Sequence, residues 1–197
     1  MIKLKNVFYL PGFQKDNFDR FEISRVIKSF LESDGWKVNV SNYGNDRPMN
    51  LPIWIYLEEA ACELKKQKPD VIIAHSFGGI IARYLIEIKN VSVDKLVMLE
   101  TPHNGVPMIF MRLLGYPNWP AVRVILKGSP FLSFLNSKFL ERGVGSHYYQ
   151  IGGLYTTLAH QFFDLPGVRK KVFPLVSHSN LHNDPHVLAE ISRFLNE

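Results

Sequence analysis

Short apolar runs alternate with longer amphipathic stretches along most of this chain. The run Val71–Ala74 is apolar and rich in β-branched residues, which predicts a strand buried on both faces. Similar runs predict further strands at 5–10, 36–40, 93–99, 147–151 and 170–175. Helices are predicted between them at 17–31, 53–68, 80–86 and 184–195. This alternation predicts an α/β fold, a doubly wound parallel sheet of about six strands with helices on both faces. Its ligand site is expected beyond the carboxyl ends of the strands.

The segment AHSFGG (residues 74–79) follows the most apolar strand and opens a helix. A strand that becomes a helix within so few residues must bend sharply, and small residues on either side of the bend let the backbone pass. Ala74 and Gly78 occupy those positions, so Ser76 lies at the apex. This is the pattern of a Gly-x-Ser-x-Gly nucleophile elbow, with Ala in place of the first Gly.

The elbow resembles the Ala-His-Ser-x-Gly-Gly segment of small bacterial lipases in the α/β-hydrolase superfamily. Two further segments extend the resemblance: LETPHNG (99–105) is similar to a Leu-Gly-Thr-Pro-His-x-Gly segment of many lipases, and HSNL (178–181) is similar to the segment that carries their histidine. The resemblance covers nearly the whole chain in element order. It implies a single three-layer α/β-hydrolase domain over residues 1–197.

A serine hydroxyl is a weak nucleophile and needs a base. In the family that the chain resembles, the base is a histidine in the loop after the last strand. His178 lies in that loop, three residues beyond the predicted strand, and we expect it to be the base. His182, four residues later and close to the last helix, is the alternative.

The base needs a carboxylate to hold its tautomer. The family's commonest position for this acid, at the start of the loop after the penultimate strand, holds Tyr155 and Thr156 here. Some members place the acid at the end of the strand after the elbow helix, which is Glu100 in this chain. We therefore expect Glu100 to be the acid, with Asp164 as the alternative.

Ester hydrolysis also needs backbone N–H groups that stabilise an oxyanion. One is expected from Phe77, the residue after the nucleophile. The loop LPGF (10–13) resembles the family's His-Gly-Phe loop, with Pro11 where His is usual. That resemblance implies the N–H of Phe13 as the second donor.

Composition narrows the class of protein. Hydrophobic residues make up 46% of the 197 residues, enough for one domain with a sizeable core. The net charge is +5, but the basic residues form no long run, so a solvated face is favoured over nucleic-acid binding. The single cysteine, Cys62, excludes an intramolecular disulfide and is expected to be buried. No signal peptide or membrane-spanning run is seen, so we expect a cytoplasmic protein.

Residues 106–145 are crowded with Phe, Leu, Met and Trp and lack strand regularity. They form either a cap or lid that lines an acyl pocket or touches a lipid surface, or a helical pair that packs as ordinary core. The combined motifs predict a serine hydrolase of carboxylic esters, with acyl or lipid-like substrates and no metal or organic cofactor. The alternatives are a thioesterase or acyltransferase with the same nucleophile, or a non-catalytic binding protein on the same fold.

Overall fold

A computed structural model of the chain describes residues 5–12, 17–44, 51–113, 119–142 and 147–197, with side chains from residue 24 onward in the first helix. Its strands are β1 (Asn6–Leu10), β2 (Lys37–Val40), β3 (Val71–His75), β4 (Lys95–Leu99), β5 (Tyr148–Gly152) and β6 (Arg169–Val172). They form one parallel sheet in the order β2-β1-β3-β4-β5-β6. The expected doubly wound six-stranded sheet is confirmed.

Helices cover both faces of this sheet. They are α1 (Asn17–Ser33), α2 (Ile53–Gln67), α3 (Phe77–Glu87), α4 (Met108–Leu113), α5 (Pro120–Val124), α6 (Pro130–Arg142), α7 (Leu154–Phe163) and α8 (Pro185–Leu195). Successive strand side chains point to opposite faces, and they feed two separate apolar clusters. Ile72 and Ala74 join the cluster with α2, α3 and the 106–145 helices, whereas Val71 and Ile73 join the cluster with α1 and α8.

The central strand β3 is buried along its whole length. It lies between β1 and β4, and its register pairs Ala74 with Leu10 on one side and with Met98 on the other. Because all strands are parallel, the carboxyl ends of β1, β3, β4 and β5 meet at one edge of the sheet. The functional candidates follow those ends.

Two local features differ from the sequence-based picture. The sequence predicts a loop after the penultimate strand, but most of residues 152–167 form α7, which is interrupted at Ala159 (φ −145°, ψ 47°). Cys62 is exposed rather than buried, because it lies on the solvent side of α2. Within the described parts of the chain, no helix has both the length and the apolar character needed to cross a membrane.

The described helices of residues 106–145 contribute to the core, as in the helical alternative weighed above. Six of their side chains are buried in the cluster that also holds α3: Met111, Ala121, Val122, Leu132, Leu135 and Phe139. Helix α6 packs against α3, and α5 packs against α2. A movable lid formed by this segment stays a prediction.

Candidate active site

The turn after β3 holds Ser76 in a strained backbone conformation. Its φ is 52° and its ψ is −120°, a combination that costs a non-glycine residue about 1–3 kcal/mol. The N–H of Ser76 donates to the carbonyl of Leu99 at 2.8 Å, which ties the turn to the end of β4. The carbonyl of Ser76 accepts from the N–H of Gly79 at 3.0 Å as α3 begins. The backbone therefore makes the sharp strand-to-helix turn that the sequence predicted.

Glycines let the end of β1 pack directly against this turn. A Cβ built on Gly78 would lie 2.2 Å from the carbonyl oxygen of Leu10 and 2.6 Å from that of Pro11. A Cβ on Gly12 would lie 2.8 Å from the Cβ of Ser76. Real Cβ atoms do not approach other atoms so closely, so a larger residue at either position would separate β1 from the elbow. The loop after β1 thus starts beside the side chain of Ser76.

The structure describes one of the two expected oxyanion donors. Phe77 is the first residue of α3, and its side chain is fully buried. Its N–H belongs to the first turn of α3. Phe13 lies outside the described residues, so its role stays a prediction.

The hydroxyl of Tyr43 braces the β1 loop, a contact that sequence analysis did not anticipate. It donates to the carbonyl of Pro11, and the ring of Tyr43 is buried. That ring packs edge-on against Tyr56, with centroids 6.4 Å apart, and Tyr56 packs edge-on against Phe77 at 6.5 Å. Pro11 stands where the family that the chain resembles usually has His, and Tyr43 braces this loop from the β2–α2 connection.

His178 and Glu100 meet at the same edge of the sheet. His178 opens a single 3-10 turn, His178–Asn180, after β6. Its Nδ1 lies 2.9 Å from Oε2 of Glu100, which directly follows β4. The side chain of Glu100 is completely buried, whereas that of His178 is 24% exposed. A carboxylate accepts hydrogen bonds, so Nδ1 of His178 carries the proton and Nε2 is left with a lone pair.

The same carboxylate also binds the first turn of α7. Its Oε1 accepts from the N–H of Gly153 at 3.0 Å and from the N–H of Thr156 at 2.6 Å. Gly153 is the N-cap residue of α7 and has no side chain to fill that role. Burial opposes ionisation of Glu100, but His178 and the two backbone donors outweigh it and lower the pKa of the carboxyl. Glu100 is therefore a buried, ionised carboxylate at a helix N-terminus.

The backbone of Glu100 is unusual for a residue with a side chain. Its φ is 43°, in the left-handed region that favours glycine. The lipase segment that this stretch resembles has Gly at the same position. The strained backbone therefore belongs to the residue whose carboxylate is hydrogen-bonded to His178.

The alternative residues lie in other surroundings. Asp164 follows α7, and its carboxylate pairs with Nζ of Lys170 at 2.8 Å rather than with a histidine. His182 is completely buried, and within the described parts of the chain neither of its ring nitrogens has a hydrogen-bond partner. Burial and then His178 lower the pKa of His182 to about 4. Of the candidate pairs, only His178 and Glu100 are hydrogen-bonded to each other among the described residues.

Comparisons with known proteins agree with this architecture. Residues 54–115, which contain the elbow, match the family model of the PGAP1-like alpha/beta domain. The chain superposes on the lipase BlEst2 of Bacillus licheniformis with a TM-score of 0.71 at 13% identity, over 99% of this chain and 93% of that one. It superposes on the thioesterase domain from the curacin biosynthetic pathway with a TM-score of 0.63 at 13% identity, over 99% and 92%. The chain has the α/β-hydrolase fold.

One curated relative is similar in sequence. Triacylglycerol lipase 2 of Saccharomyces cerevisiae is 35% identical over an alignment of 113 residues that covers 53% of this chain. The aligned part is 35% of that protein, so the chain spans about a third of the relative's length.

Within this α/β-hydrolase fold, a buried charged network joins the elbow helix to α6. Arg83 is fully buried and binds both carboxylate oxygens of Glu87, with its Nε 2.8 Å from Oε1 and its Nη2 3.1 Å from Oε2. Its Nη1 donates to Oδ1 of Asn136 on α6 at 2.8 Å. Nδ2 of Asn136 donates in turn to the carbonyl of His103, in the segment that follows Glu100. No pattern in the sequence around Arg83 indicates that its charged side chain is buried.

Aromatic side chains line the approach to His178. The ring of Tyr155, on the first turn of α7, stacks on His178 with centroids 5.5 Å apart. Phe110 on α4 packs edge-on against Tyr155 at 5.1 Å. Large apolar side chains are exposed on the same two helices: Ile109, Leu113 and Leu158. The α/β-hydrolase edge that carries His178 therefore has an apolar rim.

In the part of the chain that the structure describes, no group of three or more His, Cys, Asp or Glu side chains is arranged to hold a metal ion.

Proposed function

We propose that this chain is a serine hydrolase that cleaves carboxylic esters through an acyl-enzyme on Ser76. The observation that carries the proposal is the hydrogen bond of 2.9 Å between Nδ1 of His178 and the buried carboxylate of Glu100, beside a strained serine turn. A nucleophile, a base and an orienting carboxylate converge at the carboxyl edge of an α/β-hydrolase sheet.

The proposed reaction has two halves. Oγ of Ser76 attacks the ester carbonyl carbon while Nε2 of His178 takes its proton, and the resulting imidazolium is stabilised by Glu100. The tetrahedral oxyanion is held by the N–H groups of Phe77 and Phe13. The C–O bond to the alcohol then breaks as His178 returns the proton to the leaving oxygen. Water, deprotonated by His178, attacks the acyl-serine and releases the acid and free Ser76.

The substrate class follows from two supporting features. The curated relative is named a triacylglycerol lipase. The rim formed by Tyr155 and Phe110, with exposed apolar side chains beside them, suits an acyl chain better than a charged group. We therefore propose acyl or lipid-like esters, with lipid-surface contact through the exposed side chains of α4 and α7.

The first experiment compares wild type with Ser76→Ala on p-nitrophenyl esters of rising acyl length, with fluorophosphonate labelling alongside. Turnover and labelling that both vanish in the variant support Ser76 as the nucleophile. An optimum at long acyl chains supports the lipid-like substrate class, and a thioester preference would favour the thioesterase alternative. A wild-type protein with neither turnover nor labelling would refute the proposal and favour a binding protein on this fold.

A further inference from the structure

The mechanism above does not use the histidine immediately before the nucleophile. His75 is the last residue of β3, and only 6% of it is exposed. The loop after β1 packs against it, since a Cβ built on Gly12 would lie 3.1 Å from its Nδ1. A polar side chain this deeply buried needs a hydrogen-bond partner, and the partner that His75 has lies far away in sequence.

That partner is the main chain of His178. Nε2 of His75 lies 3.0 Å from the carbonyl oxygen of His178. A carbonyl oxygen can only accept, so Nε2 carries the proton and donates it. The two rings also touch, with centroids 4.6 Å apart. The His75 side chain thus joins the strand that leads into Ser76 to the turn that carries His178.

The surroundings of His75 keep it neutral. Burial, followed by the nearby His178 and His182, holds the pKa of His75 well below its ordinary value. The ring of His182 packs edge-on against that of His75 at 5.1 Å. In the neutral tautomer with the proton on Nε2, the hydrogen bond to the His178 carbonyl persists when the His178 ring gains and loses its proton.

We propose that His75 is a positioning residue that holds the backbone of His178 against the elbow. The His178 ring is fixed by two independent contacts, Glu100 at its Nδ1 and His75 at its carbonyl. Glu100 sets the tautomer, and His75 sets the distance between the base and the nucleophile turn. This inference rests on the proposed function, because a base needs positioning only if Ser76 is the nucleophile.

Two substitutions separate the hydrogen bond from the volume of the ring. His75→Leu fills a similar space without a donor, whereas His75→Gln can place an amide N–H near the position of Nε2. Loss of one buried hydrogen bond corresponds to about a 10- to 100-fold fall in kcat. We expect that fall in His75→Leu with KM within about threefold, and recovery of most of it in His75→Gln.

His182→Leu is the matched control, because it removes a buried imidazole from the same cluster without breaking a hydrogen bond to any described residue. We expect its kcat within about threefold of wild type. Melting temperatures are measured for every variant, so that a loss of kcat in a fully folded protein can be told from a loss of structure. If His75→Leu does not fold, His75→Asn replaces it, since its shorter amide does not reach the carbonyl.

The outcomes are distinct. Wild-type kcat in a folded His75→Leu, or equal losses in the Gln and Leu variants, would overturn the positioning role. Full turnover in Ser76→Ala would instead refute the proposed function itself. Turnover lost in Ser76→Ala but unchanged in His75→Leu would refute this inference alone.

Discussion

Replacing Glu100 by Gln removes one charge from the site and leaves its shape nearly unchanged. Oε1 of Glu100 accepts from Gly153 and Thr156, and Oε2 accepts from Nδ1 of His178. Two donors at Oε1 hold the amide oxygen of the Gln there. The amide NH2 must then face His178, where it can only donate.

The consequence for the base is a change of tautomer. Nδ1 of His178 must become an acceptor, so the proton moves to Nε2, the nitrogen that acts as the base in the proposed mechanism. A histidine protonated at that atom cannot take the proton of Ser76. The corresponding acid-to-amide change in a serine triad costs about 10⁴ in kcat, and we expect a loss of about 10³ to 10⁴ here.

The effect on folding is small for Gln and large for Ala. In Glu100→Gln both backbone N–H groups keep a neutral acceptor, which costs about 1–2 kcal/mol because charged hydrogen bonds are roughly twice as strong. Glu100→Ala leaves both donors buried without a partner, at about 1–3 kcal/mol each. We therefore expect the Ala variant to lose about 2–6 kcal/mol, although both variants lose the carboxylate.

The assay pairs kcat on a p-nitrophenyl ester with the free energy of unfolding in urea. Asp164→Asn is the control, since Asp164 pairs with Lys170 and not with His178, and it should keep near wild-type kcat. Glu100→Gln that retains more than about a tenth of wild-type kcat would refute the role of Glu100 as the acid. Equal stabilities of the Gln and Ala variants would refute its role as the cap of α7.

Three further predictions test other parts of the molecule. Tyr43→Phe removes the hydroxyl that binds the Pro11 carbonyl, so we expect kcat to fall about tenfold with KM unchanged; an unaffected kcat would contradict this. Arg83→Met leaves the Glu87 carboxylate buried without its ion-pair partner, with the hydroxyl of Tyr148 at 3.3 Å as a remaining donor, at about 3–5 kcal/mol in urea unfolding, and adding Glu87→Leu should restore most of it; a single variant within about 1 kcal/mol of wild type would contradict the network's role. His182 has a pKa of about 4 in the folded chain and an ordinary value of 6.5 when unfolded. The unfolded state therefore binds a proton first as the pH falls, and His182 should contribute a loss of stability of about 2 kcal/mol between pH 7.5 and 5. The buried His75 and His103, whose pKa values are also lowered, add to the same slope, so His182→Leu should make it shallower by about 2 kcal/mol over that range rather than abolish it; an unchanged slope would refute the assignment.

The sheet and the elbow were predictable because their signals are local. Residues 71–79 contain a buried strand, a sharp turn between small residues and the start of a helix, and each step follows from neighbouring side chains. The order of strands and helices was predictable for the same reason, because each element follows from the pattern of its own neighbouring residues. The boundaries shifted by a few residues, as at β4, which begins at Lys95 rather than at residue 93.

The contacts that hold the site together were not predictable, because their partners are distant in sequence. Nothing local to Tyr43 points to Pro11, and nothing local to Arg83 shows that α6 will cover it. Helix α7 is the sharpest case. Its first residue follows two glycines, Gly152 and Gly153, which favour a loop, and the carboxylate that accepts from the N–H of Gly153 lies 53 residues earlier in the chain.

The formation of a helix after β5 and the position of Glu100, the proposed acid, are therefore linked through the same hydrogen bonds. A carboxylate at the start of that loop would need other hydrogen-bond donors, and the loop would have to stay irregular to bring the carboxylate to His178. With Glu100 at the end of β4 instead, the loop supplies N–H groups to the carboxylate and folds into α7. The first turn of α7 then places the ring of Tyr155 on His178. The left-handed φ of 43° at Glu100 is the local strain that accompanies this arrangement, and three charge-assisted hydrogen bonds offset it.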